Sequence, residues 1–180
     1  MFVAVVPPPA AVEDLDDFLS VRREAAPFRW SSSDQWHVTL AFMEDVPDRS
    51  LDELAERLAA SAGRQQAFTS RVVGGGAFPH PDRAKVLWAG LDGDFDALSR
   101  GARAAASTAG AAVDGQRFRA HLTLARLARP ANVSRWVRLL DAYAGPTWTV
   151  DEVALVASYL GEGPRRRPRH EVVATFPLAG

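Results

Sequence analysis

The sequence predicts an α+β protein: two similar lobes, each an antiparallel sheet with helices outside, facing each other across a central cleft. Three observations carry this expectation. Segments of alternating apolar residues are interspersed with segments of helical apolar spacing. The order strand, helix, motif strand, helix, strand runs once before residue 73 and again, loosely, after residue 85. One tetrapeptide form occurs twice, as His37-Val38-Thr39-Leu40 and His121-Leu122-Thr123-Leu124. Together these read as an old duplication of structure, with sequence similarity confined to the motifs.

Phe2 to Val6 is an apolar run ended by Pro7-Pro8-Pro9, a buried strand. Ala11 to Arg23 places Val12, Leu15, Phe18 and Leu19 at helical spacing, with acids early and arginines late as the helix dipole favours. Trp36 to Phe42 alternates as a strand, and the acidic turn 44–48 leads to a helix over Leu51 to Ala62. Ala67 to Val73 and Lys85 to Leu91 are expected as a hairpin whose turn spans Gly74-Gly75-Gly76 and Phe78-Pro79-His80-Pro81. Phe95 to Ala109 is alanine-rich and helical, Arg117 to Leu127 a strand around the second motif, and Ser134 to Tyr143 a short helix. Strands at Trp148 to Ser158 and His170 to Phe176 close the chain, separated by a loop over 161–169.

A chain of 180 residues with 47% apolar content can bury a substantial core, and residues 1–180 are expected to form one domain of two lobes. The absence of cysteine excludes disulfides, thiolate metal sites and a cysteine nucleophile. The N-terminus lacks a basic region ahead of its short apolar run, and no apolar stretch approaches the ~20 residues of a membrane span, so the expectation is a cytoplasmic protein without membrane contact. A monomer without an obligate protein partner is the default. Net charge is only −1, which argues against coating nucleic acid by bulk electrostatics. The charge is unevenly spread. Residues 1–60 carry 5 Arg against 12 Asp and Glu, leaving 16 Lys and Arg against 10 acids in the remainder, so an anionic ligand should lean toward the second part.

On a strand, positions i and i+2 share a face, so His37 points with Thr39, and His121 with Thr123, while the intervening apolar residues anchor each lobe. Two such pairs brought face to face suit displacement at phosphorus. A base takes a proton from the attacking water, and an acid on the opposite side protonates the departing oxygen. Histidine serves both purposes, with an ordinary pKa near 6.5 that allows one ring to be neutral and the other protonated, and a bell-shaped rate profile is expected. The threonine hydroxyls can donate to non-bridging phosphate oxygens. No carboxylate cluster suggests a metal, and no cofactor is called for.

With these motifs the chain resembles the 2H phosphoesterases, and most closely their bacterial and archaeal RNA 2',3'-cyclic phosphodiesterases, also called 2'-5' RNA ligases. The resemblance extends to the opening strand with Pro7-Pro8, Arg29-Trp30, Gly76-Ala77-Phe78-Pro79, Val86-Leu87-Trp88, His121 to Arg126 and Phe176-Pro177-Leu178. It departs from many relatives at Phe42-Met43-Glu44, where Phe-Leu-Gly is common, and at Ala120, where proline is common. It implies the bilobal fold and hydrolysis of a terminal 2',3'-cyclic phosphate to a 2'-phosphomonoester, with 2'-5' joining of RNA as an associated activity. It further implies that His37 protonates the leaving 3' oxygen and that His121 activates water; the near-identical motifs do not themselves separate these roles. The substrate is expected to be an RNA end or a small cyclic nucleotide. Another cyclic or 2'-5' linked substrate, such as ADP-ribose cyclic phosphate or 2'-5' oligoadenylate, fits the same motifs. A module that binds RNA or nucleotides without turnover stays open too, although intact His and Thr at all four positions count against it.

Arg126 matches a phosphate-binding arginine of the family, but strict alternation puts it on the face opposite His121, so its participation requires a bulge after Leu124. Arg119 and Arg117 share the face of His121 by alternation and are candidates for an RNA backbone. Phe78 is a candidate for stacking on a base. The loop containing Arg165, Arg166, Arg167 and Arg169 is read either as an RNA guide or as a surface turn. His80 and His170 lack a threonine partner and are assigned no catalytic part. Trp36, Trp88 and Phe118 are read as core.

Overall fold

The computed structural model describes residues 1–180. Four helices and ten strands follow in the order β1 (Phe2–Val5), α1 (Pro9–Ser20), β2 (Arg29–Trp30), β3 (Val38–Phe42), α2 (Leu51–Ala62), β4 (Phe68–Ser70), β5 (Val72–Phe78), β6 (Ala84–Leu91), α3 (Phe95–Thr108), β7 (His121–Ala131), α4 (Ser134–Asp141), β8 (Trp148–Val150), β9 (Glu152–Tyr159) and β10 (Arg169–Pro177). Two four-stranded antiparallel sheets dominate, ordered β10-β9-β1-β3 and β2-β7-β6-β5, with β4 and β8 paired as a small ribbon. The architecture is α+β, as expected. No helix is long and apolar enough to cross a membrane.

The two parts of the chain do not fold side by side. The first motif strand, β3, joins a sheet completed by the C-terminal β9 and β10, whereas the second, β7, is flanked by β6 and by β2 from upstream of the first motif. Helices follow the same exchange. α2 lies against β9 and β10, α3 against β3, and α4 against β5. Tyr143, just past α4, packs on Phe18 of α1 and donates its hydroxyl to Asp14 Oδ1 at 2.6 Å, tying α1 to the second sheet's side. A continuous cluster of 35 buried residues fills the interior. On β1, Val3 and Val5 belong to it, while Phe2 and Ala4 point the other way into a small cluster with Ala154 and Val156. That second face looks into the cleft.

Several boundaries differ from their sequence expectation. α1 opens at Pro9, where the missing N–H costs nothing. The hairpin turn expected over 74–81 is shorter, because Gly74 to Phe78 extend β5. A Cβ on Gly75 would stand 2.6 Å from Leu140 Cδ1, and one on Gly76 would stand 2.3 Å from Trp88 Cζ2. These glycines let α4 and an indole approach the strand; they do not make a turn. The strand expected from Arg117 begins only at His121 and runs on to Ala131.

Candidate active site

Both motifs meet in one cleft of about 390 Å³, lined by His37, Thr39, His121 and Thr123 together with Phe42, Arg126 and His170. The local structure of the two motifs is nearly the same. His37 Nδ1 lies 2.7 Å from Gln35 O, and His121 Nδ1 lies 2.7 Å from Arg119 O. A carbonyl can only accept, so Nδ1 carries the proton in each ring, and Nε2 is left free for chemistry.

Each motif then ends in a bulge at its leucine. In β3 the pairing with β1 passes from Thr39↔Ala4 to Ala41↔Val3, skipping Leu40. In β7 the pairing with β6 passes from Thr123↔Trp88 to Ala125↔Leu87, skipping Leu124. The burial pattern registers the skip: Leu40 and Ala41 are both buried, as are Leu124 and Ala125. Alternation restarts one residue late, and position i+5 returns to the face of the histidine. Arg126 thereby enters the cleft, and so does its counterpart Phe42. The displaced carbonyls find partners. The buried Ser99 Oγ donates to Leu40 O at 2.7 Å, and Ser31 N–H donates to Leu124 O at 2.8 Å.

The two imidazoles differ in their surroundings. Phe2 stacks on His37 with centroids 4.5 Å apart and planes inclined by 19°. His170, paired with Ser158 at the start of β10, lies edge-on to both, 5.4 Å from His37 and 5.1 Å from Phe2. Burial pushes the His37 imidazole down to about 4, against the opposing pull of the Gln35 carbonyl, with smaller contributions from His170 and His121. Burial also lowers His121, the Arg119 carbonyl opposes it, and the charges of Arg126 and Arg119 add to the depression. His170 is lowered by burial and raised by Asp34.

A buried neutral histidine makes stability depend on pH. The unfolded chain titrates near 6.5 and folded His37 near 4, so between these values the unfolded state holds more protons and stability falls as pH drops. The loss amounts to about 3 kcal/mol by pH 4. Urea midpoints measured from pH 7 to 4 should fall along this course, and His37→Asn should flatten it; equal slopes in both proteins would refute the assignment.

Other residues singled out from the sequence lie at the rim of this cleft or beyond it. Arg119 precedes β7, so strand alternation does not govern it. Its guanidinium sits 4.8 Å from the centre of the Trp88 ring, beside a second groove of about 730 Å³ that also takes Arg117 and Phe78. It contributes its carbonyl to His121; its side chain is not among the residues lining the 390 Å³ cleft, but with Arg117 it lines an adjoining depression of about 120 Å³ shared with Thr39, Phe42 and His121. Phe78 meets His121 edge-on at 5.0 Å and Trp88 at 5.3 Å, supporting the ring from outside. Trp36 and Trp88 are buried, Phe118 half-buried. His80 is exposed and paired with Asp82. His170 is the residue sequence reasoning passes over. No nearby motif marks it, and only the β9–β10 pairing brings it to the cleft. The three cleft histidines do not gather with each other or with carboxylates as a metal-ligand set.

Comparisons with known proteins show the family and the fold. Residues 6–162 match the profile of the 2'-5' RNA ligase superfamily. An RNA 2',3'-cyclic phosphodiesterase of Aeropyrum pernix is 31% identical over 86% of this chain and 91% of its own length. One of Geobacillus stearothermophilus is 28% identical over 99% of this chain, which spans only 57% of that relative. Among solved structures, TT0787 of Thermus thermophilus superposes with a TM-score of 0.82 at 27% identity, covering 99% of this chain and 97% of the other. Escherichia coli LigT complexed with 3'-AMP shares the fold, with a TM-score of 0.77 at 23% identity over 99% of this chain and 97% of that one.

Proposed function

Since the chain belongs to the 2'-5' RNA ligase superfamily, we propose that it is an RNA 2',3'-cyclic phosphodiesterase that opens a terminal cyclic phosphate to a 2'-phosphomonoester. The observation that carries this reading is the pair of imidazoles, each locked by an i−2 carbonyl, with Nε2 free at one cleft that also holds two threonines and Arg126. In the reaction, His121 Nε2 takes a proton from water as the water oxygen bonds to phosphorus. The bond from phosphorus to O3' breaks, and protonated His37 gives its Nε2 proton to O3'. The histidines finish in exchanged protonation states and reset through solvent. Thr39, Thr123 and Arg126 donate to the non-bridging oxygens, where Arg126 offers a planar fork. No step needs a metal. The reading pictures one unit of residues 1–180 working as a cytoplasmic monomer.

His37 must be protonated to act as acid, yet burial disfavours the charge. The entering phosphate anion supplies the opposite charge that restores it. The kcat/KM profile, which reports the free enzyme, should therefore be bell-shaped with its apex below pH 6.5, and the kcat profile should lie at higher pH. An apex for kcat/KM above pH 7 would contradict this assignment.

The direct test is incubation of a short RNA ending in a 2',3'-cyclic phosphate with EDTA present, following the product by phosphorus NMR. Clean 2'-phosphate is expected. A 3'-phosphate product would reverse the leaving oxygen, and absence of turnover would shift the reading to another cyclic or 2'-5' linked substrate or to a binding module.

A further inference from the structure

The cleft, at about 390 Å³, has room for a nucleotide and little more, so the rest of an RNA strand must leave over its rim. One rim is the loop between β9 and β10. Leu160 and Pro168, at its two ends, line the cleft. Gln35 Nε2 donates to Pro168 O at 2.9 Å, fastening the loop to the turn that precedes His37.

The four arginines of this loop are not equivalent. Arg169 is neutralised by Glu162 and Glu171, and its guanidinium covers the Tyr159 ring at 4.2 Å. Arg165, Arg166 and Arg167 make no ion pair and no side-chain hydrogen bond within the chain. Arg165 and Arg166 are exposed, and both occupy left-handed backbone, with φ of 55° and 60°. That region favours glycine, and two consecutive side-chain-bearing residues there are strained. Glycines stand nearby at 161 and 163, yet arginine occupies the two strained positions. Charge is kept where conformation opposes it, a pattern found at functional sites. The other rim, toward Arg117 and Arg119, is a weaker polyanion track because Asp96, Asp114 and Asp141 line the same grooves.

We propose that Arg165, Arg166 and Arg167 form a phosphate-contacting guide for single-stranded RNA, gripping the strand upstream of the nucleotide held in the cleft. This rests on the reading of the cleft as a site for RNA ends. The guide makes the protein selective for oligonucleotides over mononucleotides and gives recognition a salt dependence that a net charge of −1 would not.

The test measures fluorescence anisotropy of a 5'-labelled RNA of about ten nucleotides against wild type and the R165A/R166A/R167A variant, from about 50 to 200 mM salt. Wild type should bind with a negative salt slope. The triple variant should bind roughly tenfold or more weakly at low salt, with the slope reduced by about 0.7 for each phosphate no longer neutralised. Turnover of a mononucleoside 2',3'-cyclic phosphate, which fills the cleft without extending to the three arginines, should change little. An R165G/R166G variant guards against misfolding as the cause: it relieves the backbone strain, so it should melt no lower than wild type while losing RNA affinity. R64A removes an exposed charge that lines none of the cleft, and should leave binding unchanged. Unchanged RNA affinity and slope in the triple variant, or an equal loss in R64A, would overturn the guide. If wild type binds RNA with the expected slope and the triple variant loses it, the guide stands even where no cyclic phosphate is turned over; that second result would count against the catalytic reading alone.

Discussion

Replacing His37 or His121 by alanine should lower turnover of a cyclic-phosphate RNA end by about 10²–10⁴-fold, the range expected when a general acid or base is removed. The two losses should not multiply. In the proposed in-line displacement each histidine needs the other, so the double variant should be only slightly slower than either single one. The fold should survive, because both rings sit at the cleft and their backbone is held by the sheets. His37→Ala should also remove the largest part of the stability loss between pH 6.5 and 4, a signature that His121→Ala, with its less buried ring, would reproduce to a smaller extent. Single-turnover rates at pH 6 on a labelled RNA would check the first claim. A single-site variant within about tenfold of wild type would sink the acid–base pair.

Arg126→Ala should cost about 10²-fold in kcat/KM, comparable to loss of one preorganised donor to a developing oxyanion. Arg126→Lys should recover only part of this, since an ammonium keeps the charge and loses the bidentate fork. A second readout separates a role in the cleft from a structural one. Arg126 depresses the His121 imidazole, so its removal should move the His121 limb of the pH–rate profile upward. Lower activity with an unmoved profile would place Arg126 outside the reacting group's field. Phe42, the counterpart of Arg126 at the other bulge, makes the cleft chemically unequal: cationic at one motif and aromatic at the other.

Much of the fold is legible in the chain because local periodicity reports local burial. The alternation at Trp36 to Phe42 and the helical spacing at Leu51 to Ala62 each correspond to an element. The glycine run at 74–76 reads as a turn and is a strand, since composition does not distinguish a residue that must bend from one that must be small. Its reason is the Trp88 ring and Leu140, which come from other elements. The repeated element order suggests two lobes with an antiparallel sheet each, and two such sheets are present; that each sheet borrows strands from the far part of the chain is not legible in that order. Periodicity says which face of a strand is buried; it says nothing about the strand's neighbours.

In the cleft, four residues, His37, Thr39, His121 and Thr123, are legible from spacing alone, because a two-residue spacing on a strand puts both side chains on one face whatever that strand pairs with. The fate of residues beyond the motifs depended on tertiary structure. Arg126 reaches the cleft because the β6–β7 ladder skips Leu124, and Arg119 lies at the rim, ahead of β7, because strand geometry begins only at His121. His170 arrives through pairing of β10 with β9, from 133 positions beyond His37. Register and long-range pairing are set by the packing of whole sheets, and no local stretch of sequence contains that information.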